Sequence, residues 1–319
     1  MFGMITSTMR VLAALLVLSL ALSAAVARQP RPVARPYTSY AEDFSRFVDE
    51  TATMEEAPRV ALFRERFGAK LPGFYAPRYR TPAEYDADIA DALHKFPAVR
   101  AKYEAATTDF ARAFASGQAR FRRTFADYRL TMPVYLIHSL GEMDGGTRDL
   151  GGSVAMVFGV DVIAKIHDST TVGPFLDHEL FHLYHDKYFP DCEQLWCSLW
   201  QEGLAVYVAS KMNPGANDRQ LVLTVPRPIR PEVEPRLAEA MCGLRTKLDS
   251  TDQAVFAPLF YGKRNPGPFP PRYGYFLGYT LARKIGETMP LAQMAKLPPA
   301  KVRPLLDKAL ASYGPCPTP

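Results

Sequence analysis

The residues with the most chemical potential sit in one hexapeptide, Asp177-His178-Glu179-Leu180-Phe181-His182. His178 and His182 are four positions apart. On a helix their imidazoles lie on one face, a turn apart, and can share one metal ion. Glu179 falls beside that ion and not on it, where it can move a proton of water. With six histidines in the chain, composition alone yields this HExxH pattern in roughly one sequence in two hundred. A catalytic zinc keeps three protein ligands and one open position. Glu202, in Trp200-Gln201-Glu202-Gly203-Leu204-Ala205-Val206-Tyr207, is the candidate third ligand, twenty positions after His182. His185 is the rival, although a carboxylate from a separate helix closes such a site better. The longer HExxHxxGxxH pattern is excluded, because its Gly and third His positions hold His185 and Tyr188. Asp177 is expected to face away from the metal and lie at the surface. His138 and His167 read as ordinary histidines of a strand and a loop.

Two helices must position these groups. Thr170-Thr171-Val172-Gly173-Pro174 offers an N-cap Thr and a Pro near the first turn. The largely apolar run Phe175, Leu176, Leu180, Phe181, Leu183 and Tyr184 predicts a helix buried through the middle of a domain, ending near Tyr188. The Glu202 helix runs to Met212 and stops at Asn213-Pro214-Gly215.

HExxH followed by a Glu-Gly-Leu-Ala helix resembles the gluzincin branch of the zinc metallopeptidases. Within it, the chain is similar to a bacterial family of predicted zinc-dependent proteases built around a domain of unknown function. The resemblance covers His178 to Tyr207, about a tenth of the chain. It implies an α+β, zincin-like fold, mostly helical with a small sheet beside the metal-binding helix. It also implies one zinc ion on His178, His182 and Glu202, and hydrolysis of peptide bonds by a metal-activated water with Glu179 as general base. A downstream Tyr or His supplies the oxyanion donor in gluzincins. Tyr275 and Tyr279 are the candidates here, with Tyr273 and Tyr207 behind them, and the sequence does not choose. The carboxylate found four residues after the third ligand in the best-known gluzincins is missing, because that position is Val206. Two other readings stand beside the peptidase: a zincin-fold peptide-binding or envelope protein without catalysis, and a zinc hydrolase of a cell-wall amide. An intact Glu179 disfavours the first, and no wall-binding module supports the second.

Composition narrows the setting. A net charge of +5, spread among interspersed acids, is too mild to argue for nucleic acid, and the partner expected is the peptide or protein substrate that the resemblance implies. Residues 1–27 read as a signal peptide: Arg10, an apolar run from Val11 to Leu22, then Ala25-Val26-Ala27 as a small-residue cleavage site. The expected product is periplasmic or secreted, with no membrane span after cleavage. Four cysteines in an exported chain suggest disulfides. Three pairings are possible; Cys192 with Cys197, in the loop between the metal helices, would leave Cys242 with Cys316.

Along the chain, residues 28–40 read as a Pro/Arg-rich linker and 41–130 as a helical N-terminal part. Thr81-Pro82-Ala83-Glu84 starts one helix there and a long one runs from Pro97 to Tyr128. The catalytic part spans 131–319. Met132 to His138 predicts a strand, Gly141 to Gly152 a loop, and Ser153 to Ile166 one or two further strands. Gly151 to Val160 is the candidate for a cleft-edge strand that pairs with substrate backbone. Helices follow over about 231–248, 251–261, from about 272, 291–297 and 299–313.

Overall fold

Thr81 and Glu84 close a capping box that begins the longest element. Thr81 Oγ1 accepts from Glu84 N at 3.2 Å, and Glu84 Oε2 accepts from Thr81 N at 2.8 Å. In the computed structural model, which describes residues 36–190, 192–262 and 267–316, this helix runs unbroken from Pro82 to Thr124. The sequence reading placed a new start at Pro97. A mid-helix Pro removes one hydrogen bond and disfavours the helix by about 3 kcal/mol. That cost is offset by a continuous buried stripe at helical spacing: Ile89, Leu93, Phe96, Tyr103, Phe110, Phe114 and Phe121. Helices α1 (Ala41–Glu50) and α2 (Glu56–Lys70) pack on this long helix, α3, through Phe44, Phe47, Phe63 and Phe67. The expected signal peptide lies outside the described residues, as does the linker up to residue 35. The rest of the expected linker is not extended spacer: Tyr37 is buried, and Thr38–Ser39 form strand β1.

One mixed sheet lies beside these helices. Its strands are β1, β2 (Val134–Ile137), β3 (Gly145–Asp149) and β4 (Val154–Gly159), in the order β1-β2-β4-β3. β2 runs parallel to both β1 and β4, with Val134 opposite Met156; β3 is antiparallel to β4, with Thr147 opposite Met156. Three strand expectations fail here. Gly141 to Gly152 is not all loop, because Gly145-Gly146-Thr147-Arg148-Asp149 forms β3 despite its weak strand propensity; the ladder to β4 supplies what the side chains do not. The proposed edge segment lies in the sheet interior: β4 is paired on both sides and buried from Ala155 to Gly159, whereas β3 is the edge. The β-rich run also turns helical after Gly159, forming α4 (Val160–Ile166). Asp161 on α4 accepts from Ser139 N at 2.6 Å and Gly141 N at 2.7 Å, holding that turn against its β-branched composition.

The second half is helical: α5 (Val172–His185), α6 (Leu195–Met212), α7 (Arg230–Val233), α8 (Leu237–Arg245), α9 (Gln253–Phe260), α10 (Tyr273–Ile285), α11 (Leu291–Met294) and α12 (Pro299–Ala311). No Thr side chain caps α5; Asp168 holds the turn that precedes it. Its Oδ1 accepts from Thr170 N at 2.9 Å and Thr171 N at 3.2 Å. Disulfides join Cys192 to Cys197 and Cys242 to Cys316, with Cα separations of 5.9 and 5.4 Å. α3 packs on α5, so the N-terminal helices and the later elements share one core.

α6 packs against both α5 and α10. Its crossing with α10 depends on two glycines: a methyl at Gly203 would land on the Gly278 backbone, and one at Gly278 on Leu199 O. Gly278→Ala should therefore lower stability by about 3 kcal/mol, read as a reduced urea midpoint. Gly243→Ala, on α8 with nothing within 4 Å of the added carbon, should leave the midpoint unchanged or raise it slightly.

Candidate metal centre

The tight crossing of α6 and α10 places Glu202, next to Gly203, against the histidines of α5. His178 Nε2 lies 3.2 Å from Glu202 Oε2, His182 Nε2 lies 3.5 Å from the same oxygen, and the two imidazole nitrogens are 3.1 Å apart. A point equidistant from three such atoms lies about 2 Å from each, the bond length of zinc to imidazole and carboxylate. The donor set therefore fits a divalent ion. Among the described residues this is the one group of three His, Cys, Asp or Glu side chains placed to hold a metal.

The trio forms part of a cleft of about 420 Å³. β3 supplies one wall through Gly145 to Arg148, and Glu179, Leu221, Val222, Arg272 and Tyr275 also face the space. Glu179 is half-buried at the cleft wall and adds no atom to the ligand trio. Burial, reinforced by Asp144 and Glu202, pushes its carboxyl up to about 8 against the opposing charge of His182. Burial would also raise Glu202, but the two imidazoles hold it well below the ordinary carboxylate range. Burial lowers His178, whereas on His182 the nearby carboxylates outweigh burial and raise it to about 9. Near neutrality His182 and Glu179 each hold a proton while Glu202 is ionised, and a dication at the trio would displace the proton on His182.

Of the four candidate tyrosines, only Tyr275 lines the cleft, its ring 6.2 Å from the His178 ring. Burial and Glu202 raise its phenol pKa, so it remains a proton donor across the neutral range. Tyr279, one turn later, lies outside this lining; its ring meets Tyr207 at 6.4 Å and Arg283 at 5.9 Å. Tyr273 stacks on Phe269 at 5.1 Å.

His185 does not join the trio. Its Nδ1 bonds Ala295 O at 2.9 Å, and its ring stacks between Phe181 and Phe189. Asp177 corrects the surface expectation: it is fully buried. Arg120 of α3 donates to both of its oxygens at 2.9 and 3.1 Å, and Asn213 at the end of α6 donates at 2.8 Å. One carboxylate adjacent to His178 thus ties α3, α5 and α6 together. His138 is buried against Phe44 at 3.8 Å, and His167 against Phe175 at 4.2 Å. The sequence reading missed Arg272 and the β3 wall. Neither carries a motif; both reach the cleft through tertiary packing.

No match emerges from comparison with protein-family models, curated proteins or solved structures. The resemblance to gluzincins accordingly stands on the residues from His178 to Tyr207.

His185 makes a pH dependence. Burial depresses its pKa to about 4, with His182 adding to the effect and Ala295 O opposing it. An unfolded His titrates near 6.5, so between these values the unfolded chain binds a proton that the folded chain refuses. The contribution to stability is complete above pH 6.5 and is lost as pH falls toward 4. From pH 7.5 to pH 5 the native protein should lose about 2 kcal/mol more than His185→Gln, measured by urea unfolding at each pH.

Proposed function

We propose that this protein is an exported zinc peptidase of gluzincin type, with a zincin-like α+β fold. The observation that carries the proposal is the convergence of His178, His182 and Glu202 from two helices, with Glu179 beside them in a cleft. Two imidazoles and a carboxylate suit zinc and leave a position for substrate. The two disulfides are compatible with an oxidising compartment, and no described helix is long and apolar enough to cross a membrane.

When bound, zinc supplies Lewis acidity that polarises a carbonyl and acidifies water. The chain's own groups do the rest. β3 offers unpaired edge backbone to an extended substrate, the role first assigned to Gly151–Val160. Glu179 takes the proton of the attacking water and returns it to the leaving nitrogen. Tyr275 holds its phenolic proton toward the cleft and donates to the oxygen on which negative charge develops. The Arg120–Asp177–Asn213 knot keeps His178 from swinging with its helix.

Zinc content and hydrolysis of a mixed peptide library test this together. The native protein should bind about one zinc and cleave. Glu179→Gln should keep the zinc and lose at least about 100-fold in rate. Equal inertness of both proteins with zinc bound would instead support a binding-only role. Tyr275→Phe should lose about 100-fold at unchanged zinc content, while Tyr279→Phe should match the native rate.

A further inference from the structure

Arg272 is a half-buried guanidinium facing the cleft. Other arginines of this region are committed to acids: Arg148 to Glu142 at 3.3 Å, and Arg120 to Asp177. Arg272 makes no ion pair among the described residues. Its guanidinium lies 4.4 Å over the Tyr275 ring, and its Nη1 donates to Val225 O at 3.2 Å. A planar cation held this way keeps donors for one more acceptor, and a partly desolvated cation favours an anionic one.

The wall around it is built under strain. Arg272 has φ 65° and Val222 has φ 58°, and both residues line the cleft. A β-branched residue in the left-handed region is a genuine outlier and needs surrounding structure to hold it. Here the 218–229 loop closes on itself through Leu223 N to Asp218 O at 2.8 Å and Ile229 N to Leu223 O at 3.0 Å. The Arg272–Val225 bond then fastens this loop to the start of α10. The result is a preformed corner with Leu221 and Val222 as its apolar side and Arg272 as its cation. At about 420 Å³ the cleft is sized for a small ligand or a short stretch of peptide.

We propose that Arg272 is the carboxylate receptor of this cleft, and that the preferred substrates present a carboxylate beside an apolar residue close to the scissile bond. The inference rests on the peptidase reading and extends it to substrate class. The carboxylate is either the free C-terminus of a peptide, which makes the enzyme a carboxypeptidase, or an acidic side chain of an internal segment.

Binding to zinc-loaded Glu179→Gln protein separates these sources without turnover. The probes are two matched pairs of short peptides, titrated calorimetrically. One pair differs as free acid against C-terminal amide; the other is amidated and differs as Glu against Gln next to the apolar residue. In at least one pair the carboxylate form should bind about 10- to 100-fold tighter. The pair that responds identifies the source. Adding Arg272→Met should reduce the preference to less than about threefold, and Arg272→Lys should retain part of it. Equal affinity within both pairs overturns the proposal, and this comparison needs no Arg272 variant to fold. A preference that survives Arg272→Met overturns it equally. Failure of the native protein to hydrolyse any peptide, with the binding preference intact, would count against the peptidase reading and leave the receptor role standing.

Discussion

Holding the Glu202 carboxylate between two imidazoles is the constraint on which the rest of the structure depends. A carboxylate in that position is costly unless it is paired; the His178 imidazole bonds it at 3.2 Å and His182, whose pKa is raised, faces it at 3.5 Å. Satisfying that requirement forces α5 and α6 together. It then demands that α10 approach closely enough to enclose the cleft, which the bare backbones of Gly203 and Gly278 permit. Tyr275 and Arg272 reach the cleft only because α10 begins there.

The metal helix is anchored from behind as firmly as it is loaded from in front. Asp177 precedes His178 and points into the protein, where Arg120 and Asn213 take both its oxygens. Burial favours protonation of that carboxyl and the Arg120 charge opposes it. His185, at the far end of the helix, is pinned to Ala295 O. The helix is therefore fixed away from the cleft at both ends of the HExxH segment, and the two candidate ligand imidazoles share a frame that a metal ion would not have to create. No carboxylate four residues beyond Glu202 is needed for this fixation; the buried Asp177 knot acts from the other side of the helix.

Legibility followed the range of the interactions. The HExxH spacing and the Glu202 helix could be read because helical periodicity places residues locally, and the terminal helices fell within a few residues of their expected positions for the same reason. β3 could not be read, since Gly145-Gly146-Thr147-Arg148-Asp149 is a strand by virtue of its partner. α4 reversed its local propensity because Asp161 binds the Ser139–Gly141 turn. Asp177 looked like a surface acid because its partners lie 57 positions before and 36 after it. Choosing Tyr275 over Tyr279 required the rotation of α10 about the Gly203 contact, which no sequence pattern encodes.

The central claim is a single divalent ion shared by His178, His182 and Glu202. Anomalous diffraction from crystals of the zinc-loaded protein, collected on both sides of the zinc edge, tests it most directly. The account predicts one strong peak about 2 Å from both Nε2 atoms and a Glu202 oxygen, with Glu179 outside the coordination shell. A peak coordinated by His185 or Glu179, or no peak between α5 and α6 at full zinc loading, would contradict it.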